Sequence, residues 1–217
     1  MASIELVIFD LDGTLVDSIP DLTDAVNEFL RASGRPALAM EDVKRLVGKG
    51  ARNLVERALG NGTEEEVEKA LAIFLAYNDA HIADKTIMYP GVAETLHELR
   101  RQGIRMAVVT NKTEFLSRKL LSVIGIDRYF DSILGADSLP FRKPSPEPVL
   151  KALADLKIAP SGAIMVGDSI NDIAAGRAAG VVTVGCTFGY GTDAELSQAE
   201  YRIDSMGQLL QLPILGK

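Results

Sequence analysis

Cysteine is nearly absent from the sequence, and so are long apolar runs. The 217 residues include one cysteine, Cys186, which excludes an internal disulfide and any metal site built from several cysteines. No apolar run approaches the roughly 18 residues that a membrane span requires. The first residues lack the basic and then apolar pattern of a secretory signal. We therefore expect a cytoplasmic protein that does not associate with membranes.

Positive charge is also scarce. The 23 lysines and arginines stand against 30 aspartates and glutamates, which gives a formal net charge of −7. This balance argues against a general nucleic-acid-binding protein. Apolar residues make up 47% of the chain and charged residues 24%, as in ordinary globular proteins. If the ligand is an anion, its site must therefore gather positive charge locally.

Short apolar segments that end in polar or glycine-containing turns recur along the chain and predict buried strands. They span residues 6–9, 106–109, 163–166 and 181–184. Helical patterns that close at a glycine lie between them. Short buried strands alternating with helices are typical of a parallel sheet. The predicted fold class is therefore α/β, with a Rossmann-like parallel sheet as its core.

The stretch between the first two of these strands is too long for an ordinary crossover connection. Its apolar periodicity predicts four helices, at residues 21–32, 41–47, 52–59 and 63–81. We interpret it as an inserted helical cap domain that spans residues 17–85. The catalytic core would then consist of residues 1–16 and 86–217.

Polar residues follow the predicted strands at the points where each strand ends. Asp10 and Asp12 follow the first strand, Thr110 and Asn111 the second, and Asp168 the third. The carboxyl ends of parallel strands meet at one edge of a sheet, where ligands bind at the switch in strand order. We therefore expect these residues to converge.

Phosphoryl transfer requires a nucleophile, an acid for the leaving oxygen and cations around the developing charge. Asp10 can serve as the nucleophile and Asp12 as the acid, while Lys143 supplies a fixed positive charge. Carboxylates of Asp10 and Asp168, with the main-chain carbonyl of Asp12, offer the hard oxygen ligands that Mg²⁺ prefers. The Thr110 hydroxyl can hold a phosphate oxygen.

Four segments resemble the motifs of the haloacid dehalogenase superfamily. In one-letter code they are FDLDGTLVDS at residues 9–18, TNK at 110–112, RKP at 142–144 and GDSIND at 167–172. The helical insert directly after the first motif is similar to that superfamily's helical cap. The resemblance covers nearly the whole chain. Because dehalogenases of the superfamily lack the second aspartate of the first motif, the sequence indicates a phosphotransferase.

The resemblance implies a role for each motif residue. Asp10 would be the nucleophile, Asp12 the general acid and then base, and Lys143 the cation on the phosphoryl oxygens. Thr110 and Asn111 would hold the phosphate. Mg²⁺ would be bound by Asp10, the Asp12 carbonyl and Asp168. Asp172 would orient Lys143 or a metal-bound water.

Within the superfamily, three further segments resemble bacterial phosphoglycolate phosphatases. They lie at residues 47–59, 135–140 and 187–191. The first contains a glycine-rich, basic turn with Lys49 and Arg52. Because phosphoglycolate carries a carboxylate beside its phosphate, a cap cation such as Lys49 or Arg52 would suit that substrate.

Other functions fit the same motifs. A sugar-phosphate mutase and a pyrophosphatase use the same scaffold, and a phospho-receiver signalling domain also combines a phospho-accepting aspartate, a threonine and a lysine on a parallel sheet. Asp12 and the large insert disfavour the receiver. The favoured interpretation is a magnesium-dependent phosphatase for a small phosphate monoester, acting through an aspartyl-phosphate, as a monomer or homodimer.

Overall fold

A six-stranded parallel sheet forms the centre of the computed structural model, which describes residues 3–215. Residues 1–2 and 216–217, which the sequence analysis assigned to the core, lie outside the described residues. The strands of the described chain are β1 (Leu6–Phe9), β2 (Val16–Asp17), β3 (Ile87–Met88), β4 (Arg105–Val109), β5 (Ser132–Leu134), β6 (Ala163–Gly167), β7 (Val182–Cys186) and β8 (Tyr201–Ile203). The order across the large sheet is β5-β4-β1-β6-β7-β8, which confirms the predicted α/β fold class.

The described residues form nine α-helices, some of which cover the two faces of this sheet. They are α1 (Ile19–Ala32), α2 (Met40–Lys44), α3 (Ala51–Leu59), α4 (Glu64–Ala80), α5 (Val92–Arg101), α6 (Glu114–Val123), α7 (Glu147–Leu156), α8 (Ile170–Ala179) and α9 (Asp193–Leu196). Val7 and Phe9 of β1 pack in one apolar cluster with α5 and α6. Leu6 and Ile8 pack on the other face with α7 and α8. Because neighbouring side chains of a strand point to opposite faces, the all-apolar sequence of β1 is what a central strand requires.

The order in which strands are added to the sheet switches sides at β1. The strands β4 and β5 lie on one side of β1, and the later strands β6, β7 and β8 lie on the other. A crevice forms outside the carboxyl ends of the strands at such a switch point. The residues that follow β1, β4 and β6 therefore meet at this crevice.

The segment between β2 and β3 contains four helices, α1 to α4, packed around an apolar cluster of their own. Strand β2, just before this segment, pairs antiparallel with strand β3, just after it. Beside it, the buried Asp21 carboxylate accepts hydrogen bonds from the main-chain N–H groups of Lys85 and Thr86 at 3.0 and 2.8 Å. The entry and exit of the segment are thus tied together within a few residues of the predicted boundaries at 17 and 85.

Most differences from the sequence predictions concern short elements. The helix predicted at 41–47 ends at Lys44, and turns occupy residues 45–48. The sequence analysis did not identify β2, β3, β5 and β8, which have two or three residues each, too few to show a period. No helix among residues 3–215 is both long and apolar enough to cross a membrane.

Candidate active site

Three strand ends bring the predicted site residues together. Asp10 follows β1, Thr110 follows β4 and Asp168 follows β6. β1 lies between β4 and β6 with both pairings parallel, so the three residues leave the sheet at the same edge. All three are buried.

Lys143 lies at the base of this edge with its ammonium group completely enclosed. Its Nζ is 2.9 Å from Asp10 Oδ1 and 2.6 Å from Asp172 Oδ1, and it donates a hydrogen bond to the carbonyl of Val109 at 2.6 Å. These three contacts match its three donors. Burial alone would lower the pKa of Lys143, but the two carboxylates raise it above its ordinary value. The lysine is therefore a fixed positive charge.

Asp10 is held on one side only. Its Oδ1 accepts hydrogen bonds from the main-chain N–H of Leu11 at 2.7 Å and contacts Lys143, whereas no hydrogen bond among residues 3–215 involves Oδ2. Burial, with the nearby negative charge of Asp172, raises the pKa of Asp10 to about 7 despite the opposing effect of Lys143. Oδ2 is therefore the oxygen that remains available to a ligand.

Asp168 is fixed through both of its oxygens. Oδ1 accepts from the hydroxyl of Thr14 at 3.0 Å, and Oδ2 accepts from the main-chain N–H of Tyr190 at 2.7 Å. Burial, followed by the charges of Asp172 and Asp10, raises the pKa of Asp168 well above its ordinary value. The carboxylate is thus preorganised in surroundings that disfavour its charge.

Glycine is required where the chain passes this carboxylate. Gly13 has a φ of 88°, in the left-handed region, and a Cβ at that position would lie 2.3 Å from Asp168 Oδ2. At Gly191 a Cβ would lie 1.9 Å from the main-chain oxygen of Asp168. Side chains at these positions would displace Asp168.

The site carries an excess of negative charge that suits a divalent cation. Asp10, Asp168 and Asp172 can each place an oxygen within 4.8 Å of the others. Three carboxylates against the one ammonium of Lys143 leave a formal charge of −2. Hard oxygen donors of this kind match Mg²⁺, so the residues fit the predicted metal.

Asp172 is the member of this group least available to a metal. Its Oδ1 is paired with Lys143, and its Oδ2 accepts hydrogen bonds from the main-chain N–H and hydroxyl of Ser169 at 3.0 and 2.7 Å. The same carboxylate forms the capping box of α8. This arrangement supports a role in orienting Lys143.

Asp12 faces the crevice beside Asp10. Its Oδ1 accepts a hydrogen bond from the hydroxyl of Ser18 at 2.6 Å, and the Nζ of Lys112 lies 3.4 Å from both of its oxygens. Sequence analysis did not assign a role to Ser18 or Lys112, although both lie inside the quoted motifs. An acid or base held in this way has a fixed position relative to Asp10.

Thr110 and Asn111 both line the crevice, but they are engaged differently. The Thr110 hydroxyl accepts a hydrogen bond from the main-chain N–H of Lys112 at 3.3 Å, and its own hydrogen is free to reach a ligand. Both donors of the Asn111 amide are used, towards the carbonyls of Gly48 at 2.8 Å and Lys143 at 2.9 Å. The Asn111 side chain thus joins the insert to the core rather than pointing a donor into the crevice.

The two cations of the insert that the sequence analysis singled out lie in different places. Lys49 is exposed between Gly48 and Gly50, two residues that line the crevice. The guanidinium of Arg52 forms ion pairs with three glutamates of the insert, Glu56, Glu64 and Glu68. Neither side chain is among the described residues that line the crevice. Arg52 therefore does not lie at the site, because its ion pairs with these glutamates hold the guanidinium on the insert.

The crevice itself lies between the sheet edge and the insert. Core residues supply a polar floor, and helices α1, α3 and α4 supply a mainly apolar roof with one buried asparagine, Asn78. The residues that line it are Asp10, Asp12, Leu22, Val47, Gly48, Gly50, Ala51, Leu54, Phe74, Leu75, Asn78, Thr110, Asn111, Lys112, Thr113 and Leu116. Its lining, with polar residues at the sheet edge and apolar residues opposite, suits a small ligand with one strongly polar end.

Tyr190 is a further residue that the sequence analysis did not single out. Besides its N–H contact with Asp168, its hydroxyl accepts from the main-chain N–H of Ser18 at 2.9 Å and donates to Asp17 Oδ1 at 3.2 Å. It therefore links the entry of the insert to a carboxylate of the site. The sequence feature that could have indicated this role is the position of an aromatic residue between two glycines after β7.

Comparison with known proteins agrees with these motifs. The model of the haloacid dehalogenase-like hydrolase family matches residues 7–186. Phosphoglycolate phosphatase 1 of Pseudomonas aeruginosa is 48% identical over 192 residues, which cover 85% of this chain and 70% of that protein. The phosphoglycolate phosphatase of Nitrosococcus oceani is 40% identical over 215 residues, which cover 96% of each.

A solved structure shows the same similarity in three dimensions. The crystal structure of a predicted phosphoglycolate phosphatase from Haemophilus somnus is 35% identical, with a TM-score of 0.92 over 97% of this chain and 98% of that one. The expected resemblance to phosphoglycolate phosphatases is thereby confirmed. The chain belongs to the haloacid dehalogenase-like hydrolase family.

Proposed function

We propose that this protein is a magnesium-dependent phosphatase that hydrolyses 2-phosphoglycolate, a small phosphate monoester, through an aspartyl-phosphate on Asp10. The observation that carries the proposal is the arrangement of Asp10. One of its oxygens is fixed by Lys143 and the N–H of Leu11, and the other has no hydrogen bond within residues 3–215. The names of the relatives from Pseudomonas aeruginosa and Nitrosococcus oceani support the choice of substrate.

In the first step, Oδ2 of Asp10 attacks phosphorus and the bond between phosphorus and the ester oxygen breaks. Asp12 donates its proton to that leaving oxygen, so the alcohol departs neutral. Ser18 and Lys112 hold the Asp12 carboxyl in place for this transfer. General acid catalysis of this kind contributes a factor of about 10²–10⁴ in rate.

In the second step, Asp12 removes a proton from a water molecule, whose oxygen attacks phosphorus. The bond between phosphorus and Asp10 breaks, which releases inorganic phosphate and restores the carboxylate. Lys143 stays within 2.9 Å of Asp10 in the free protein, where it would stabilise negative charge on the phosphoryl oxygens. The hydroxyl of Thr110 would donate to one of those oxygens.

Asp10 and Asp168, with the main-chain carbonyl of Asp12, would hold the metal. When bound there, Mg²⁺ would favour the ionised carboxylates and neutralise charge on the phosphate. Burial and the neighbouring carboxylates raise the pKa values of Asp10 and Asp168, and a divalent cation bound there would oppose that shift.

We further propose that residues 17–85 act as a cap domain on a core formed by the remaining residues. Movement at β2 and β3 would open and close the crevice, and closure would exclude bulk water from the phosphoenzyme. Lys49, on the turn whose carbonyl at Gly48 contacts Asn111, remains a candidate for attracting the substrate's carboxylate.

The proposal is tested by phosphate release from a panel of phosphate esters with Mg²⁺ and with EDTA. We expect 2-phosphoglycolate to give the highest kcat/KM and EDTA to abolish turnover. Interconversion of sugar phosphates without phosphate release would instead indicate a mutase, and preference for inorganic pyrophosphate would indicate a pyrophosphatase. A phosphorylated protein that is stable for hours would indicate a receiver-type function.

A further inference from the structure

One polar side chain in the roof of the crevice lacks a partner. Asn78 belongs to α4, is only 2% exposed and lines the crevice. No hydrogen bond among residues 3–215 involves its amide. The roof around it is otherwise apolar, with Phe74 and Leu75 on the same helix and Leu22 and Leu54 from α1 and α3.

Neither amide atom of Asn78 is among the fully enclosed side-chain atoms that lack a partner, so the amide faces the open crevice. Buried polar side chains of native proteins ordinarily end in a hydrogen bond, and here the protein supplies none among residues 3–215. A leucine at position 78 would have nearly the same shape and would suit the neighbouring side chains. The amide therefore points to a partner that is absent from the free protein and enters the crevice.

The charges of the residues that line the crevice indicate what kind of group would bind to Asn78. Among the described residues that line the crevice, Lys112 is the only cation, and the roof contributes none. A ligand that places its phosphate at Asp10 would extend its other end towards the roof. Lys112 already contacts Asp12 at 3.4 Å, so the two donor hydrogens of the Asn78 amide are the side-chain donors that the roof offers to a carboxylate acceptor.

We infer that Asn78 is a specificity-determining residue, whose amide donates a hydrogen bond to the carboxylate of a short phosphorylated hydroxy acid bound at Asp10. This inference rests on the proposed phosphatase function. It assigns to Asn78, on the cap helix α4, the contact that the sequence analysis sought in Lys49 and Arg52.

The experiment compares two substrates that differ only at the inferred contact. In ethyl phosphate, a methyl group replaces the carboxylate of 2-phosphoglycolate. The kcat/KM of both is measured with Mg²⁺ for the wild type and for Asn78→Leu. A lost hydrogen bond to a charged group corresponds to about 10- to 150-fold. We expect Asn78→Leu to lose that factor for phosphoglycolate and little for ethyl phosphate.

Asn53→Leu is the matched control. Asn53 lies on α3, its Oδ1 is buried without a partner, and it does not line the crevice. This variant should keep the wild-type preference between the two substrates. Asn78→Ala, which removes the amide without adding bulk, should lose the preference as Asn78→Leu does. Inhibition by glycolate should weaken in both Asn78 variants and stay unchanged in Asn53→Leu.

Thermal unfolding separates a binding role from a structural one. Because its amide has no partner in the free protein, Asn78→Leu should unfold at the same temperature as the wild type or higher. An unchanged ratio between the two substrates in both Asn78 variants would overturn the inference and leave the phosphatase proposal intact. If the wild type hydrolyses neither substrate, the proposed function fails and the inference fails with it.

Discussion

The stability of the metal-free protein should depend on pH in part through Asp10, and Asp10→Asn should remove that part of the dependence. Burial and Asp172 raise the pKa of Asp10 from 3.8 to about 7. In the unfolded chain the carboxyl releases its proton near its ordinary pKa, whereas the folded protein keeps it until about pH 7. Between these values the folded state binds more protons, so stability falls as pH rises.

The size of the effect follows from the same values. The part of the pKa shift that lies between pH 5 and about 7 amounts to about two units. One unit corresponds to about 1.4 kcal/mol, so the free energy of unfolding of the wild type should fall by about 3 kcal/mol between pH 5 and 8. For a chain of this size, that loss corresponds to roughly 6–12 °C in melting temperature. Asp10→Asn has no proton to release and should lack this part of the slope.

The assay is urea and thermal unfolding in EDTA, from pH 5 to 8, for the wild type and Asp10→Asn. Asp155→Asn makes the same chemical change at an exposed position of α7 and should follow the wild-type slope. Mg²⁺ should stabilise the wild type more strongly as pH rises towards 7, because the cation and the proton compete for the same carboxylate. Identical slopes for the wild type and Asp10→Asn would refute this reasoning.

Four further predictions concern single substitutions. Lys143→Met should abolish turnover and destabilise the metal-free protein by about 3–5 kcal/mol, since breaking a buried ion pair leaves charges without compensation; unchanged urea unfolding in EDTA would contradict it. Asp12→Asn should lower kcat about 10²–10⁴-fold with alkyl phosphates and less with aryl phosphates, whose leaving oxygens need less protonation; equal losses would argue against its role as the acid. Gly191→Ala should lose Mg²⁺-dependent activity and unfold at a lower temperature, because its Cβ would collide with the main chain at the metal site, whereas Gly34→Ala, with no atom within 4 Å, should cost only about 1 kcal/mol. Arg52→Ala should leave the kcat/KM for phosphoglycolate close to that of the wild type, since its guanidinium pairs with glutamates of the insert; a loss specific to phosphoglycolate would show that the side chain reaches the crevice.

The sequence carried enough information to predict the catalytic edge of the sheet. The strands before Asp10, Thr110 and Asp168 are apolar on both faces and end in polar residues, so their parallel arrangement and common edge follow from pattern alone. Lys143 was found through its motif, because it follows no predicted strand. Its contacts with Asp10 and Asp172 depend on the conformation of the loop between β5 and α7, which the pattern of apolar and polar residues does not predict.

The helical insert was predicted less well, for a physical reason. Apolar periodicity locates a helix and its buried side, but it does not specify which surface that side faces. Asn78 lies among apolar residues of α4 at helical spacing, so in sequence it resembles an ordinary polar interruption. Arg52 looked available because its partners Glu64 and Glu68 belong to another helix. Only the packing of α3 against α4 shows that its charge is already paired.

The most direct test of the account is chemical trapping of the intermediate on Asp10. Borohydride reduces an acyl-phosphate of aspartate to homoserine, which mass spectrometry of peptides can locate. The wild type, quenched during turnover of 2-phosphoglycolate with Mg²⁺, should contain homoserine at position 10, and it should contain none without substrate. Homoserine at Asp12 or Asp168, or turnover by Asp10→Asn at the wild-type rate, would contradict the account.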